Sequence, residues 1–342
     1  MTHIRIAKKT PGGLSLDVDF PLGRGVTALY GPSGAGKSLL LEAVAGFVQP
    51  DSGRILLDDA ILFDAAAGVA VPPRRRAIGY VFQSLALFPH MTLEGNLAFA
   101  GRRWPRLERH RRLAEMLERF ELAQAAGLLP AQASATQKLR CAVARALIGE
   151  PKLLLLDDAG VDGPLLARIR ESFQNPMLLV THDLDLCTGA AGVLSLLDAG
   201  RLVERGPTRA LLDRPQSVEA ARLLGIPNLF EGTIAALDPG RNSSRLDFGA
   251  FSLSGPYLPG HFRGDRVSVA VRPDALRVHA GKAAVGENLV AAALVRVSER
   301  ARWVRMEFSG GIFADLSREE YLRRKDNQDW RIEFPAESLL VL

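Results

Sequence analysis

Gly31-Pro-Ser-Gly-Ala-Gly-Lys-Ser38 follows an apolar run, Val26-Thr-Ala-Leu-Tyr30, and precedes a helical pattern in which Leu40, Leu41 and Val44 fall on overlapping faces. Strand, glycine-rich turn and helix is the context in which the pattern G-x-x-x-x-G-K-[ST] carries a mechanism. The glycines let backbone N–H groups turn inward around a β-phosphate, and the helix N-terminus adds the positive end of its dipole. A lysine at position 37 reaches β- and γ-oxygens, while the hydroxyl of Ser38 is available to Mg²⁺. Gly31, Pro32, Ser33, Gly34, Ala35, Gly36, Lys37 and Ser38 are therefore the expected triphosphate-binding residues.

Leu153-Leu-Leu-Leu156 is a second buried-type strand and ends in paired carboxylates, Asp157 and Asp158. An aspartate at such a strand end holds the Mg²⁺ shell in phosphate-loop ATPases, and a neighbouring carboxylate polarises the attacking water. Met177 to Val180 reads as a third strand. Between the strands lie helical periodicities: Leu113, Met116, Leu117 and Phe120 at i, i+3, i+4, i+7, and Leu139, Val143 and Leu147 every four residues. Alternating strands and helices predict a parallel sheet flanked by helices. After about Asn228 the period changes to two, with Val267, Val269 and Val271, then Val304, Met306 and Phe308. Ser309-Gly-Gly311 supplies a turn before Ile312-Phe-Ala-Asp-Leu316, which predicts a hairpin. Gly206 to Pro227 reads as a helical connector, so the expected domains are residues 1–228 and 229–342.

Composition narrows the class. A hydrophobic fraction of 47% and a charged fraction of 24% are those of a globular chain rather than a disordered or collagen-like one. Cys141 and Cys187 lack a metal-type spacing and point to a reducing compartment. The basic start lacks the apolar run of a signal peptide. No apolar stretch approaches the roughly 18 to 20 residues that a membrane-spanning helix needs, so a transport role requires docking onto separate membrane subunits. The net charge of +5 draws on Arg74-Arg75-Arg76 and on Arg102 to Arg112, which mix with prolines and Glu108 and have only Trp104 as an interleaved aromatic. They are read as solvated faces, with no nucleic-acid partner expected.

Several further motifs stand in order. Tyr80-Val-Phe-Gln83, Ser134 and Gln137 ahead of Val143-Ala-Arg-Ala-Leu147, and Val180-Thr-His182-Asp183 resemble the Q-loop, the signature helix and the switch region of the ATP-binding-cassette (ABC) ATPases. The resemblance covers residues 1 to about 228. It implies an α/β P-loop NTPase fold with a helical subdomain, followed by a small all-β, OB-like C-terminal domain. It implies ATP and Mg²⁺ as ligands, with Asp158, His182 and Gln83 as catalytic residues and Ser38, Gln83 and Asp157 around the metal. Ser134 and Gln137 are the residues that it brings to the ATP of an opposite subunit. The partners implied are transmembrane permease subunits and a second ATPase subunit, identical or different, at the cytoplasmic face of the inner membrane.

The chain also departs from the family's pattern. Ala135 and Thr136 replace signature glycines whose missing Cβ permits close approach to a phosphate. Asp158 stands where the family has glutamate, and Ala159-Gly-Val-Asp162 is a shortened D-loop. No aromatic precedes Phe20, so adenine stacking has no evident residue. Slow hydrolysis is expected, and a regulatory or degenerate partner subunit is the alternative. Arg24 to Gly31, Arg74 to Gln83 and Phe88-Pro-His90 look most like the molybdate-import ATPases. Val271-Arg-Pro-Asp274 and Gly286-Glu-Asn-Leu-Val290 resemble the β-barrel regulatory domain of importer ATPases, where an oxyanion can bind in that branch. Glu333-Phe-Pro-Ala-Glu-Ser-Leu-Leu340 is equally like the sugar, polyamine and ferric-ion branches.

Overall fold

The computed structural model describes residues 2–281, 287–300, 303–327 and 329–342. Gly286, the first residue of one segment in the C-terminal resemblance, lies outside them. The chain divides into two compact units, Met1–Leu211 and Leu212–Leu342, and the division falls inside the stretch read as a helical connector.

The first unit is built on one sheet of eleven strands: β1 (Thr2–Lys9), β2 (Ser15–Leu22), β3 (Val26–Tyr30), β4 (Ser52–Leu57), β5 (Ala60–Asp64), β6 (Val69–Ala70), β7 (Ile78–Val81), β8 (Leu153–Asp157), β9 (Met177–Val180), β10 (Val193–Asp198) and β11 (Arg201–Pro207). Their order is β6-β5-β4-β1-β2-β11-β10-β3-β9-β8-β7. The run β10-β3-β9-β8-β7 is parallel throughout, whereas β6-β5-β4-β1-β2 is antiparallel. Composition explains the split. Strands β8 and β9 are buried at every residue, as strands covered on both faces must be. On β2, buried Leu16, Val18 and Phe20 alternate with exposed Ser15, Asp17 and Asp19, the period of a half-solvated antiparallel strand.

Six helices complete this unit: α1 (Lys37–Ala45), α2 (Leu93–Ala100), α3 (Arg106–Arg119), α4 (Ala135–Leu147), α5 (Gly163–Ser172) and α6 (Leu184–Ala190). Leu40, Leu41, Ala43 and Val44 of α1 join Ile4, Ile6, Val18, Phe20 and Leu155 in one core, so the helix that follows the glycine-rich turn packs with both the antiparallel wing β6-β5-β4-β1-β2 and the parallel strands. Its far end is anchored by Arg76. This guanidinium is buried and donates to the carbonyls of Ala43 (3.0 Å), Val44 (2.7 Å) and Val71 (2.7 Å). A cation at the C-terminal end of a helix complements its dipole. Arg76 therefore leaves the solvated run in which the sequence reading placed it, because carbonyls at the end of α1 and at Val71 offer it partners that water would otherwise supply.

In the second unit α7 (Thr208–Asp213) leads across the division into α8 (Val218–Leu223), whose Ala221 packs with Ile226 on Ala270. Three antiparallel sheets follow. The first has five strands, β12 (Asn228–Asp238), β13 (Ser243–Asp247), β14 (Ser252–Pro256), β15 (Arg266–Val271) and β22 (Leu340–Val341). The others are β16 (Arg277–Ala280), β17 (Leu289–Ala291) and β21 (Trp330–Glu333), and β18 (Leu294–Glu299), β19 (Trp303–Phe308) and β20 (Ile312–Ser317). The hairpin read at 304–316 is present, with Phe308 opposite Ile312. A short helix, α9 (Arg318–Arg324), follows it. Ile234, Val269, Met306, Phe308, Ile332 and Phe334 share one core, giving the β-rich unit that the period of two predicts, consistent with the OB-like domain that the resemblance implies.

Asn228 ties two of these sheets together. Its fully buried amide donates to the carbonyl of Phe313 at 2.8 Å and accepts from the Phe313 N–H at 2.7 Å. Truncation strands both backbone groups, and a buried unsatisfied polar group costs about 1 to 3 kcal/mol. Asn228→Ala is expected to lower the stability of the second unit by about that amount, read as an earlier urea transition in tryptophan fluorescence.

Candidate functional site

Open parallel sheets present their sites at the carboxyl ends of the strands. Four adjacent strands do so here. Strand β3 runs into the loop at Gly31, β9 leads to His182, β8 ends on Asp157 and Asp158, and β7 leads to Gln83. Residues that lie about 120 positions apart in sequence thus converge because their strands pair in register, Val26 with Met177 and Leu154 with Met177.

The loop geometry demands its glycines. A Cβ at Gly31 would lie 2.0 Å from the carbonyl oxygen of Leu197, too close for any side chain. Gly34 and Gly36 have φ of 83° and 100°, the left-handed region that favours glycine, and Gly36 caps the start of α1. The loop is fixed from outside by the Gly200 N–H, which donates to Ala35 at 2.9 Å. It is fixed from inside by Lys37, whose ammonium donates to the carbonyls of Gly31 (2.8 Å) and Pro32 (2.7 Å). Burial lowers the Lys37 pKa, and the nearby charges of Asp158 and Asp157 oppose that shift. An anion brought to this ammonium meets a cation that has already lost much of its water, which strengthens the attraction.

Asp157 is held on both oxygens. Ser38 Oγ donates to Oδ1 at 3.0 Å and the Tyr80 hydroxyl donates to Oδ2 at 2.9 Å. Ser38 and Asp157 thus present an all-oxygen pair, the donor type that Mg²⁺ prefers, with Gln83 in the same cavity. Asp158 has a φ of 45°, and its carboxylate lies 3.5 Å from His182 Nε2. The left-handed backbone turns Asp158 away from the strand axis, toward the histidine that follows β9. A cavity of about 350 Å³ gathers Ser33, Gly34, Gly36, Lys37, Ser38, Gln83, Asp157, Asp158 and His182, together with Leu14 and Leu39. Gly31, Pro32 and Ala35 form the loop behind it.

A family model described as ABC transporter matches residues 15–160. The molybdate/tungstate import ATP-binding protein WtpC of Archaeoglobus fulgidus is 39% identical over 241 residues, covering 68% of this chain and 98% of that protein. The chain belongs to the ABC transporter ATP-binding family. The molybdenum import ATP-binding protein ModC of Rhodospirillum rubrum is 36% identical over 254 residues, covering 72% of this chain and 67% of that one. An ATP-binding subunit of an ABC transporter of known structure is 26% identical, with a TM-score of 0.52 over 60% of this chain and 89% of its own. The ATPase fold expected from the sequence is thereby established.

Within the ABC frame, Ser134 and Gln137 stand apart from the nucleotide cavity. They form a capping box at the start of α4: Ser134 Oγ accepts from the Gln137 N–H (3.2 Å), and Gln137 Oε1 accepts from the Ser134 N–H (2.9 Å). Ala135 and Thr136, next in line, face a separate cavity of about 480 Å³ shared with Ala159, Gly160 and Asp162 of the D-loop. Gln83 lines both cavities. Asp162 caps α5 by accepting from the Leu165 N–H at 2.9 Å.

Three contributors were invisible in the linear reading. Tyr80 reaches Asp157 only because β7 pairs with β8, with Tyr80 opposite Leu155. Arg145 of α4 donates to the carbonyls of Leu85 (2.8 Å) and Ala86 (2.6 Å), holding a turn after Gln83 whose φ angles are 61° and 44°. Leu14, in the β1–β2 turn, supplies an apolar wall of the cavity where an aromatic ring was sought. Removing the ammonium denies the β- and γ-phosphates two charge-assisted hydrogen bonds, each worth about 1.5 kcal/mol or more. Lys37→Ala is expected to weaken ATP binding about a hundredfold, measured by equilibrium titration with a fluorescent ATP analogue.

Proposed function

We propose that this ABC ATPase is the ATP-hydrolysing subunit of an importer for molybdate or a related oxyanion, with two subunits closing on two ATP and driving a membrane permease. The observation that carries the reading is the convergence of the phosphate loop, Asp157, Asp158, His182 and Gln83 at the ends of four paired strands. The names of the relatives, molybdenum and molybdate/tungstate import ATP-binding proteins, support the cargo.

In this reading the amides of residues 34 to 38 and the Lys37 ammonium grip the β- and γ-phosphates. Ser38, Asp157 and Gln83 are the residues that would hold Mg²⁺, which when bound neutralises charge between those phosphates. Asp158 accepts the proton of the attacking water, and His182 orients Asp158 and meets the γ-phosphate. The free N-terminal amides of α4 at Ala135 and Thr136 face the ATP of the second subunit, a helix-terminus anion site. Leu14 packs against the adenine base.

An aromatic cavity of about 890 Å³, lined by Phe47, Tyr80, Phe82, Phe88, Phe99 and Arg145 among others, is the docking place for the permease. Its rim ring, Phe47, is 54% exposed, an unusual state for so large an apolar group. No helix among the described residues is long and apolar enough to cross a membrane; the importer reading makes the chain a peripheral subunit on the cytoplasmic face. Residues 229–342 are the regulatory domain, with an oxyanion as its proposed ligand.

Ala135, Thr136 and Asp158 favour low turnover. A carboxylate one methylene short misplaces the base, and about 1 Å of misplacement costs roughly a hundredfold. Asp158→Glu combined with Ala135→Gly and Thr136→Gly is expected to raise steady-state hydrolysis by about tenfold or more, in a phosphate-release assay. Unchanged turnover would favour the regulatory-subunit reading instead. Copurification with a permease, followed by ATPase assays with molybdate, tungstate, ferric ion and a polyamine, tests the cargo. Stimulation by either oxyanion alone is the expected result.

A further inference from the structure

The Tyr80 hydroxyl is the link between two parts of the molecule that the reading above treats separately. Its ring belongs to a cluster: it stacks on Phe82 with centroids 4.1 Å apart, and Phe47 meets both rings at 5.8 and 5.7 Å. All three rings line the aromatic cavity. At the other end, the hydroxyl donates to Asp157 Oδ2 at 2.9 Å, while Ser38 holds Oδ1 at 3.0 Å.

The geometry points to Tyr80 as a positioning residue: it fixes the Asp157 carboxylate for the metal ion of the nucleotide site, and the ring cluster through which it does so is a wall of the cavity proposed for the permease. The inference rests on the ATP-binding reading of the site.

The chemistry has one direction. A carboxylate accepts and cannot donate, so the phenol must keep its proton. The donor is the phenol O–H, 2.9 Å from Oδ2. The phenol engages one lone pair of Oδ2 and Ser38 one of Oδ1, so the two bonds hold the plane of the carboxylate while each oxygen keeps a lone pair for a cation. Partners of this kind, one bond removed from a metal, typically change metal affinity about 10- to 100-fold when deleted. The aromatic stack fixes the ring, because offset and edge-on pairs have preferred geometries. Displacing Phe47 therefore tilts the donor.

The test uses the full-length chain and measures binding rather than turnover. Affinity for a fluorescent ATP analogue is determined with EDTA and across a Mg²⁺ titration, for wild type, Tyr80→Phe and Phe47→Ala. Tyr80→Phe keeps the ring and removes only the hydroxyl. It is expected to leave the Mg²⁺-free affinity at the wild-type value and to raise the Mg²⁺ concentration for half-maximal tightening about tenfold. Phe47→Ala, which retains the hydroxyl, is expected to move the Mg²⁺ midpoint part of the way. A Tyr80→Phe titration that superimposes on wild type, or one in which affinity falls equally with and without Mg²⁺, overturns the positioning role. A Phe47→Ala titration identical to wild type overturns the tie to the cavity. Wild-type protein that binds no nucleotide in either condition overturns the ATP site itself along with the inference.

Discussion

A lysine ammonium lying 2.8 and 2.7 Å from two carbonyls of its own loop requires a backbone that only glycine can follow at three places. That constraint organises the first unit. The loop can close only if β3 ends where Leu197 leaves no room for a Cβ at Gly31, and if α1 begins from a left-handed Gly36. Helix α1 must then be pinned at both ends, by the loop in front and by the Arg76 guanidinium behind. The antiparallel wing, which supplies no polar group to the cavity, has the task of covering α1 so that the loop stays closed.

Around this fixed loop the other polar groups differ in how tightly they are held. Asp157 is gripped on both oxygens, whereas Asp158 and His182 face one another at 3.5 Å and are partly exposed. Gln83 is exposed and borders two cavities, with the turn behind it bolted to α4 by Arg145. The groups proposed to position phosphate and metal are thus the more tightly hydrogen-bonded ones, and those proposed to act on water or sense a partner lie on strand-end loops. Such an allocation suits a site completed by a second subunit, because the strand-end loops can adjust around a fixed loop backbone.

Much of this was legible in the sequence because the chemistry is local. Eight consecutive residues carry the loop, and the burial of β8 and β9 is written in unbroken leucine, methionine and valine. The hairpin at 304–316 announced itself by alternation around Gly310 and Gly311. What escaped was what depends on pairing between distant segments. Tyr80 looked like one letter of a motif until β7 lay beside β8. Arg76 looked solvated because the acceptors that bury it belong to α1, more than thirty positions away. The alternation of Ile4 and Ile6 with Arg5 was present but too short to declare a wing without its partners β2 and β4. Ser134 and Gln137 carry a local meaning, a helix cap, that motif reading alone passes over.

A triphosphate seated against the backbone of residues 31 to 38 is the central expectation. A crystal structure of the full chain grown with Mg²⁺ and a non-hydrolysable ATP analogue measures this directly. The expected result is phosphate density over the amides of Gly34 to Ser38, with the Lys37 ammonium swung from its carbonyls onto β- and γ-oxygens. Nucleotide bound elsewhere, or a loop still closed on Lys37 at millimolar analogue, would contradict the account.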